Sequence, residues 1–193
     1  MSEPIVIETG STALVVIDLQ KGIAAAPTAP HLAQTVIANA ARLARAFRSR
    51  SMPVILVRVT PSADGKDALQ PVTDAPPQWS AARSADWAEI VPELGPEPGD
   101  IVITKRQWGA FTGTELDLQL RRRKMATIVL CGIATNVGVE STARFAFELG
   151  YQQVFVEDAT AARSADDHRQ TFSVTFPRIG RVRSTADILD SLG

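Results

Sequence analysis

Two charged residues stand where an open α/β fold would do chemistry. Asp18 closes the apolar run TALVVID, and Lys105 directly follows the run DIVIT. Side chains at the carboxyl ends of parallel strands project into the crevice where such sheets bind ligands, which makes both residues site candidates. Opposite charges meeting in that crevice would be partly desolvated. Their coupling would strengthen, and each protonation state would depend on the other. A carboxyl group so placed can pass a proton to or from a bound molecule. The spacing leaves two plainer readings open: Asp18 as a cap or turn residue, and Lys105 as a solvated loop lysine.

A third stretch, Gly132-Ile133-Ala134-Thr135-Asn136-Val137-Gly138, joins a strand to a helix, where unpaired backbone N–H groups converge. Its spacing is neither G-x-G-x-x-G nor a phosphate-binding loop, and no Lys-Ser/Thr follows, which argues against a nucleotide. The only histidines, His31 and His168, form no H-x-H or H-E-x-x-H pattern, and neither is placed for a serine triad. The sequence therefore gives no reason to expect a metal site or a cofactor. The single thiol, Cys131, sits inside an apolar run and reads as an inert core residue.

The elements that must position these residues follow from periodicity. Residues 12–18, Val54–Val59, Asp100–Thr104, Ala126–Cys131 and Gln153–Glu157 are short apolar runs, with Ile179–Val182 a sixth. Such runs suit strands buried on both faces of a parallel sheet. Between them, His31–Arg50, Glu115–Lys124, Gly138–Leu149, residues 166–176 and Ser184–Leu192 carry helical spacing. In Glu115–Lys124 the leucines alternate like a strand, but Thr114 can cap a helix there, with acids in its first turn and bases in its last. Ser184 at an N-cap and Asp187 in the first turn mark the start of the last helix. The alternating order predicts an α/β fold, a three-layer α/β/α sandwich around a six-stranded, mainly parallel, Rossmann-like sheet. Residues 60–99 hold seven of the twelve prolines plus Trp79 and Trp87 and no sustained period. They read as a surface loop, a lid over the site or a contact with another subunit.

Composition narrows the class. The 193 residues, 45% of them hydrophobic, suffice for one well-filled core, so a single domain over residues 1–193 is expected. A net charge of −1 gives no reason to expect nucleic acid, and no apolar run approaches the roughly 18 residues of a membrane span. The start lacks a basic stretch followed by an apolar one, and one cysteine permits no internal disulfide. A soluble, cytoplasmic protein is the expectation.

Three separated segments resemble the isochorismatase-like hydrolases, which include nicotinamidases and related amidases. They are ALVVIDLQ around Asp18, ITKRQWGAFTGTEL around Lys105, and LCGIATNVGVESTAR. The likeness runs through nearly the whole chain in order, and TNVGVESTAR stands closer still to a YecD-type group of the family. The resemblance implies a six-stranded parallel sheet between helices, a homodimer or larger homo-oligomer, and a non-proline cis peptide at Ile133–Ala134. Asp18 and Lys105 match the family's aspartate and lysine. The position of its cysteine nucleophile is Gly138. A glycine supplies no thiolate, so the thioester route is closed. Cys131, seven residues earlier, lies within the strand and does not replace it.

The true isochorismatases of that family likewise lack the thiol and cleave a vinyl ether, with the aspartate as general acid and water adding to the resulting cation. The chain is accordingly expected to hydrolyse a small molecule without a cysteine nucleophile, with Asp18 as general acid/base assisted by Lys105. Gln20, Trp108, Phe111, Ala134, Thr135, Asn136 and Gly138 are the expected substrate contacts, although Trp108 and Phe111 also suit a core. The competing expectation is an inactive family member that serves as a binding or assembly protein.

Overall fold

The computed structural model describes residues 5–74 and 83–193. Six strands form one sheet: β1 (Thr12–Ile17), β2 (Val54–Val59), β3 (Ile101–Lys105), β4 (Thr127–Ile133), β5 (Gln152–Ala161) and β6 (Arg181–Arg183). Their order across the sheet is β3-β2-β1-β4-β5-β6, and every pair is parallel. The chain builds outward from β1 to β3, then crosses back to place β4 on the other side of β1. That reversal opens a crevice at the carboxyl ends of β1 and β4.

All six residues of β1 are buried, and period-two alternation divides them between two cores. Leu14 and Val16 face one layer with Val129 and Cys131. There they meet Val36, Ala40, Leu43 and Phe47 of α2 (Ala33–Ser49) and Ile188 of α7 (Thr185–Leu192). Ala13, Val15 and Ile17 face the opposite layer with Ile128 and Leu130. This side meets Leu116 and Leu120 of α3 (Leu116–Arg122) and Ala143 and Ala146 of α4 (Glu140–Glu148). Burial on both faces is the reason these strands read as unbroken apolar runs. Ser184 caps α7 with the reciprocal Asp187 bond expected of a capping box.

Three departures from the sequence reading bear on the site, and apart from them the sixth strand starts at Arg181 because Ile179 still belongs to a helix. A short helical turn, α1 (Lys21–Ala24), follows β1 and has no sequence signal of its own. Helix begins at Thr135 rather than Gly138, because Thr135–Val139 form a wide π-type turn that runs straight into α4. β5 continues past Glu157 to Ala161. Its register against β4 shifts between Leu130↔Phe155 and Gly132↔Thr160, so Val156–Ala159 on β5 stand opposite only Cys131 on β4. Such a bulge re-aims side chains, and here it carries Glu157. A similar π-type turn, Thr171–Thr175, links α5 (Ala165–Gln170) to α6 (Phe176–Ile179).

The described part of the proline-rich excursion returns to the crevice. Ile90 bridges Gln20, and the N–H groups of Lys21 and Gly22 donate to the carbonyls of Glu89 (2.8 Å) and Trp87 (3.0 Å). Trp79 lies outside the described residues. No helix among the described residues is long and apolar enough to cross a membrane.

Candidate active site

Asp18 is the first residue after β1 and takes a left-handed backbone conformation (φ 53°) while its N–H donates to the Val57 carbonyl at 2.9 Å. A non-glycine residue in that region is uncommon, and such residues concentrate at functional sites. Lys105 ends β3, two strands away. Its Nζ lies 2.8 Å from Asp18 Oδ2 and also donates to the Trp108 carbonyl. Both side chains are almost wholly buried, so the pair is shielded from water and salt. Oδ1 of Asp18 is buried with no hydrogen-bond partner among the described residues. Burial raises the Asp18 carboxyl to about 6, against the lowering effect of the Lys105 charge and hydrogen bond. Of the two opposed effects that the sequence left unranked, desolvation dominates.

Gly138 completes this floor. A Cβ at Gly138 would lie 2.9 Å from Asp18 Oδ2, 2.9 Å from Ile17 Cγ2 and 3.1 Å from Lys105 Nζ. Any side chain here would point at the ion pair. Cys131, by contrast, is fully buried in the other core layer, and burial together with Asp158 pushes its thiol up to about 12. A prediction follows from the two environments. In Gly138→Cys the new thiol sits beside the Lys105 ammonium in the first turn of a helix, which favours thiolate. Native protein of this variant should take up one iodoacetamide at neutral pH, read by intact mass, while the parent takes up none. The substitution needs Asp18 and Ile17 to yield by a few tenths of an ångström, and both contacts are to side-chain atoms.

A pocket of about 490 Å³, counting the part open to solvent, lies over this floor. Of the expected substrate contacts, Trp108, Ala134 and Gly138 line it, and the Ile133–Ala134 peptide is cis. Four other expected contacts lie outside its lining. Gln20 is fully buried and clamps β2, accepting from the Val59 N–H (2.8 Å) and donating to the Val59 and Trp87 carbonyls. Phe111 packs into the core against Tyr151. Thr135 is buried with its hydroxyl on His168 Nδ1 at 2.8 Å. Asn136 faces solvent on the outer side of the turn. The helical start at Thr135 turns 135 and 136 away from the pocket; an extended turn would have aimed them differently.

The sequence reading missed Arg163, which also lines the pocket. It follows β5 closely, as Asp18 follows β1. The strand-end argument would have found it had β5 not been ended at Glu157. Its guanidinium donates to the carbonyls of Ile23, Ala26 and Pro27 at 3.0–3.1 Å and, among the described residues, meets no carboxylate. Burial lowers its pKa. Among the described residues the pocket therefore holds two cationic side chains, Lys105 and Arg163, and one carboxyl group, Asp18.

A second polar cluster was invisible in the sequence. His31 precedes α2, Glu157 sits in the β5 bulge and His168 lies on α5. Both histidine Nε2 atoms approach Glu157 Oε1, at 2.9 and 3.1 Å.

Comparison with known proteins matches residues 12–187 to the isochorismatase domain. The chain is 52% identical to the isochorismatase family protein YwoC of Bacillus subtilis, over 96% of either chain. It is also 52% identical to the family protein YecD of Escherichia coli O157:H7, over 94% of this chain and 96% of that one. An isochorismatase family protein from Burkholderia thailandensis superimposes with a TM-score of 0.93 at 46% identity, covering 98% of this chain and 99% of its own.

Proposed function

The chain belongs to the isochorismatase family, and from that premise we propose that it hydrolyses a small anionic enol ether by general acid catalysis, without a cysteine nucleophile. The observation that carries this reading is the buried Asp18–Lys105 pair, 2.8 Å apart, beside a glycine. Asp18 in its protonated form gives a proton to the terminal carbon of the C=C bond, and the ether oxygen takes up the developing positive charge. Water adds to the cationic carbon and loses a proton to the Asp18 carboxylate, which restores the acid. The resulting hemiketal collapses to a ketone and an alcohol, its hydroxyl proton leaving with the alcohol. The net reaction consumes one water and leaves the enzyme unchanged.

Lys105 holds Oδ2 throughout and steadies the carboxylate in the interval when Asp18 lacks its proton. Among the described residues Arg163 meets no carboxylate, so a carboxylate on the substrate is the natural partner for its remaining N–H donors. Trp108 and Ile133 supply apolar wall that limits water around the cation.

The pH profile tests the role. A carboxyl raised to about 6 is mostly protonated below that pH and ionised above it. An acid of this kind predicts kcat/KM that is level on the acid side and falls about tenfold per pH unit above 6. A profile that rises through pH 6 would instead make Asp18 a base that activates water. Release of a keto acid from an isochorismate-type enol ether, followed with a coupled dehydrogenase, is the direct assay. No turnover of enol ethers or amides by folded protein would favour the binding or assembly reading.

A further inference from the structure

Both imidazoles of the chain converge on one carboxylate oxygen, though His31 and His168 are far apart in sequence. One ligand atom from each of His31, Glu157 and His168 lies within 4.8 Å of the other two. The two histidine-to-carboxylate separations, 2.9 and 3.1 Å, are those of neighbouring ligands in a coordination sphere. Ligands about 2.1 Å from an ion stand about 3.0 Å apart in octahedral and about 3.4 Å apart in tetrahedral geometry. The rings meet edge to face, centroids 5.7 Å apart, so neither blocks the other's nitrogen.

We propose that His31, Glu157 and His168 bind a divalent first-row transition-metal ion through two imidazole nitrogens and one carboxylate oxygen. The donor set suits Zn²⁺ and its neighbours and is too nitrogen-rich for Mg²⁺ or Ca²⁺. Burial is graded across the trio. The His168 side chain is 3% exposed, while His31 and Glu157 are 25% and 39% exposed, which leaves one side open for the ion to enter and for water to complete its shell.

The surroundings are those of a supported site. Three separate elements each supply one ligand. The His31 loop is pinned to the end of β5 by reciprocal backbone bonds between Ala29 and Ala162, 2.9 Å each. Thr135 Oγ1 stands 2.8 Å from His168 Nδ1, the position from which an outer partner fixes ring orientation and tautomer in metal sites. Without an ion, the Glu157 carboxylate can only accept, so both Nε2 atoms donate to it. An ion on Nε2 moves the His168 proton to Nδ1, and Thr135 becomes the acceptor.

None of the three ligands lines the pocket, so the ion is placed to brace the structure rather than to touch substrate. It would tie the loop before α2 to β5 and α5 and, through Thr135, to the π-type turn that follows Ala134.

The test uses purified full-length protein stripped with a chelator and then titrated separately with Zn²⁺ by calorimetry and with Co²⁺ by visible absorption. One ion per chain, with cobalt d–d bands and a rise in melting temperature, is expected. His31→Ala and Glu157→Gln, both at partly exposed positions, should each weaken binding at least tenfold while circular dichroism stays native. Thr135→Val should weaken it by about 10–100-fold without removing a ligand. No stoichiometric binding by the parent protein would overturn the proposal and leave the trio as a hydrogen-bonded cluster. Binding of equal strength in His31→Ala and Glu157→Gln would overturn it too, by placing the ion elsewhere.

Discussion

Asp18→Asn is expected to lower kcat/KM for the enol-ether substrate by about 10²–10⁴-fold, the usual worth of a positioned general acid. Asparagine keeps the size of aspartate and retains an oxygen that can accept from Lys105, so the pocket keeps its shape. What it loses is the exchangeable carboxyl proton. The pH dependence above 6 should vanish with the activity, because the group that titrates there is gone. A stability readout separates chemistry from folding. In the parent protein the raised carboxyl holds a proton that the unfolded chain would release, so its stabilising effect is complete below 3.8 and is lost as pH rises through 6. Thermal melts of the parent across that window should therefore slope more steeply than those of Asp18→Asn. The variant also leaves the buried Lys105 ammonium without its counter-charge, and some loss of stability at neutral pH is expected with it. Undiminished activity in folded Asp18→Asn would remove the acid mechanism altogether.

Gly132→Ala should cost the fold more than any substitution in the pocket. Gly132 ends the central run of β4 at φ 125°, a backbone region that L side chains rarely enter. A Cβ there would lie 2.0 Å from the Ile17 carbonyl oxygen and 2.7 Å from the Ile17 nitrogen. These are backbone atoms of β1, so no rotamer change relieves the contact. The two central strands would have to separate at the point from which Asp18 departs. A loss above about 3 kcal/mol is expected, read as a lowered denaturant midpoint. Any protein that still folds should also show weakened activity, since β1 and β4 frame the ion pair. A near-neutral Gly132→Ala would mean that the strands approach less closely than described.

The sheet was legible in the sequence because burial on both faces writes itself as unbroken apolar runs, as in TALVVI and TIVLCGI. The strand-end rule then located Asp18 and Lys105, and their meeting needs nothing beyond the order β3-β2-β1. Other features leave no periodic trace. The bulge in β5 is a change of pairing rather than of composition, so the strand looked finished at Glu157 and Arg163 was passed over. Phe111 and Trp108 lie three residues apart in one aromatic loop, yet only tertiary packing decides that the first enters the core and the second the pocket wall. His31 and His168 looked like isolated histidines, because no local spacing marks two residues joined only by the folding of β5 and α5. Gln20 is among the expected substrate contacts; in the structure its amide satisfies buried backbone groups of β2, a role that a polar residue beside a strand end fills without any local sequence mark.

Lys105 belongs to β3, which among the described residues has a neighbour on one side only. Its ammonium reaches Asp18 across the width of β2, so the acid's counter-charge hangs from the rim of the sheet while the acid itself is rooted in the middle. Rims fray before centres do. Gentle warming that loosens β3 would withdraw the cation and silence turnover while the remaining strands stay paired, and heat inactivation should precede the cooperative melt.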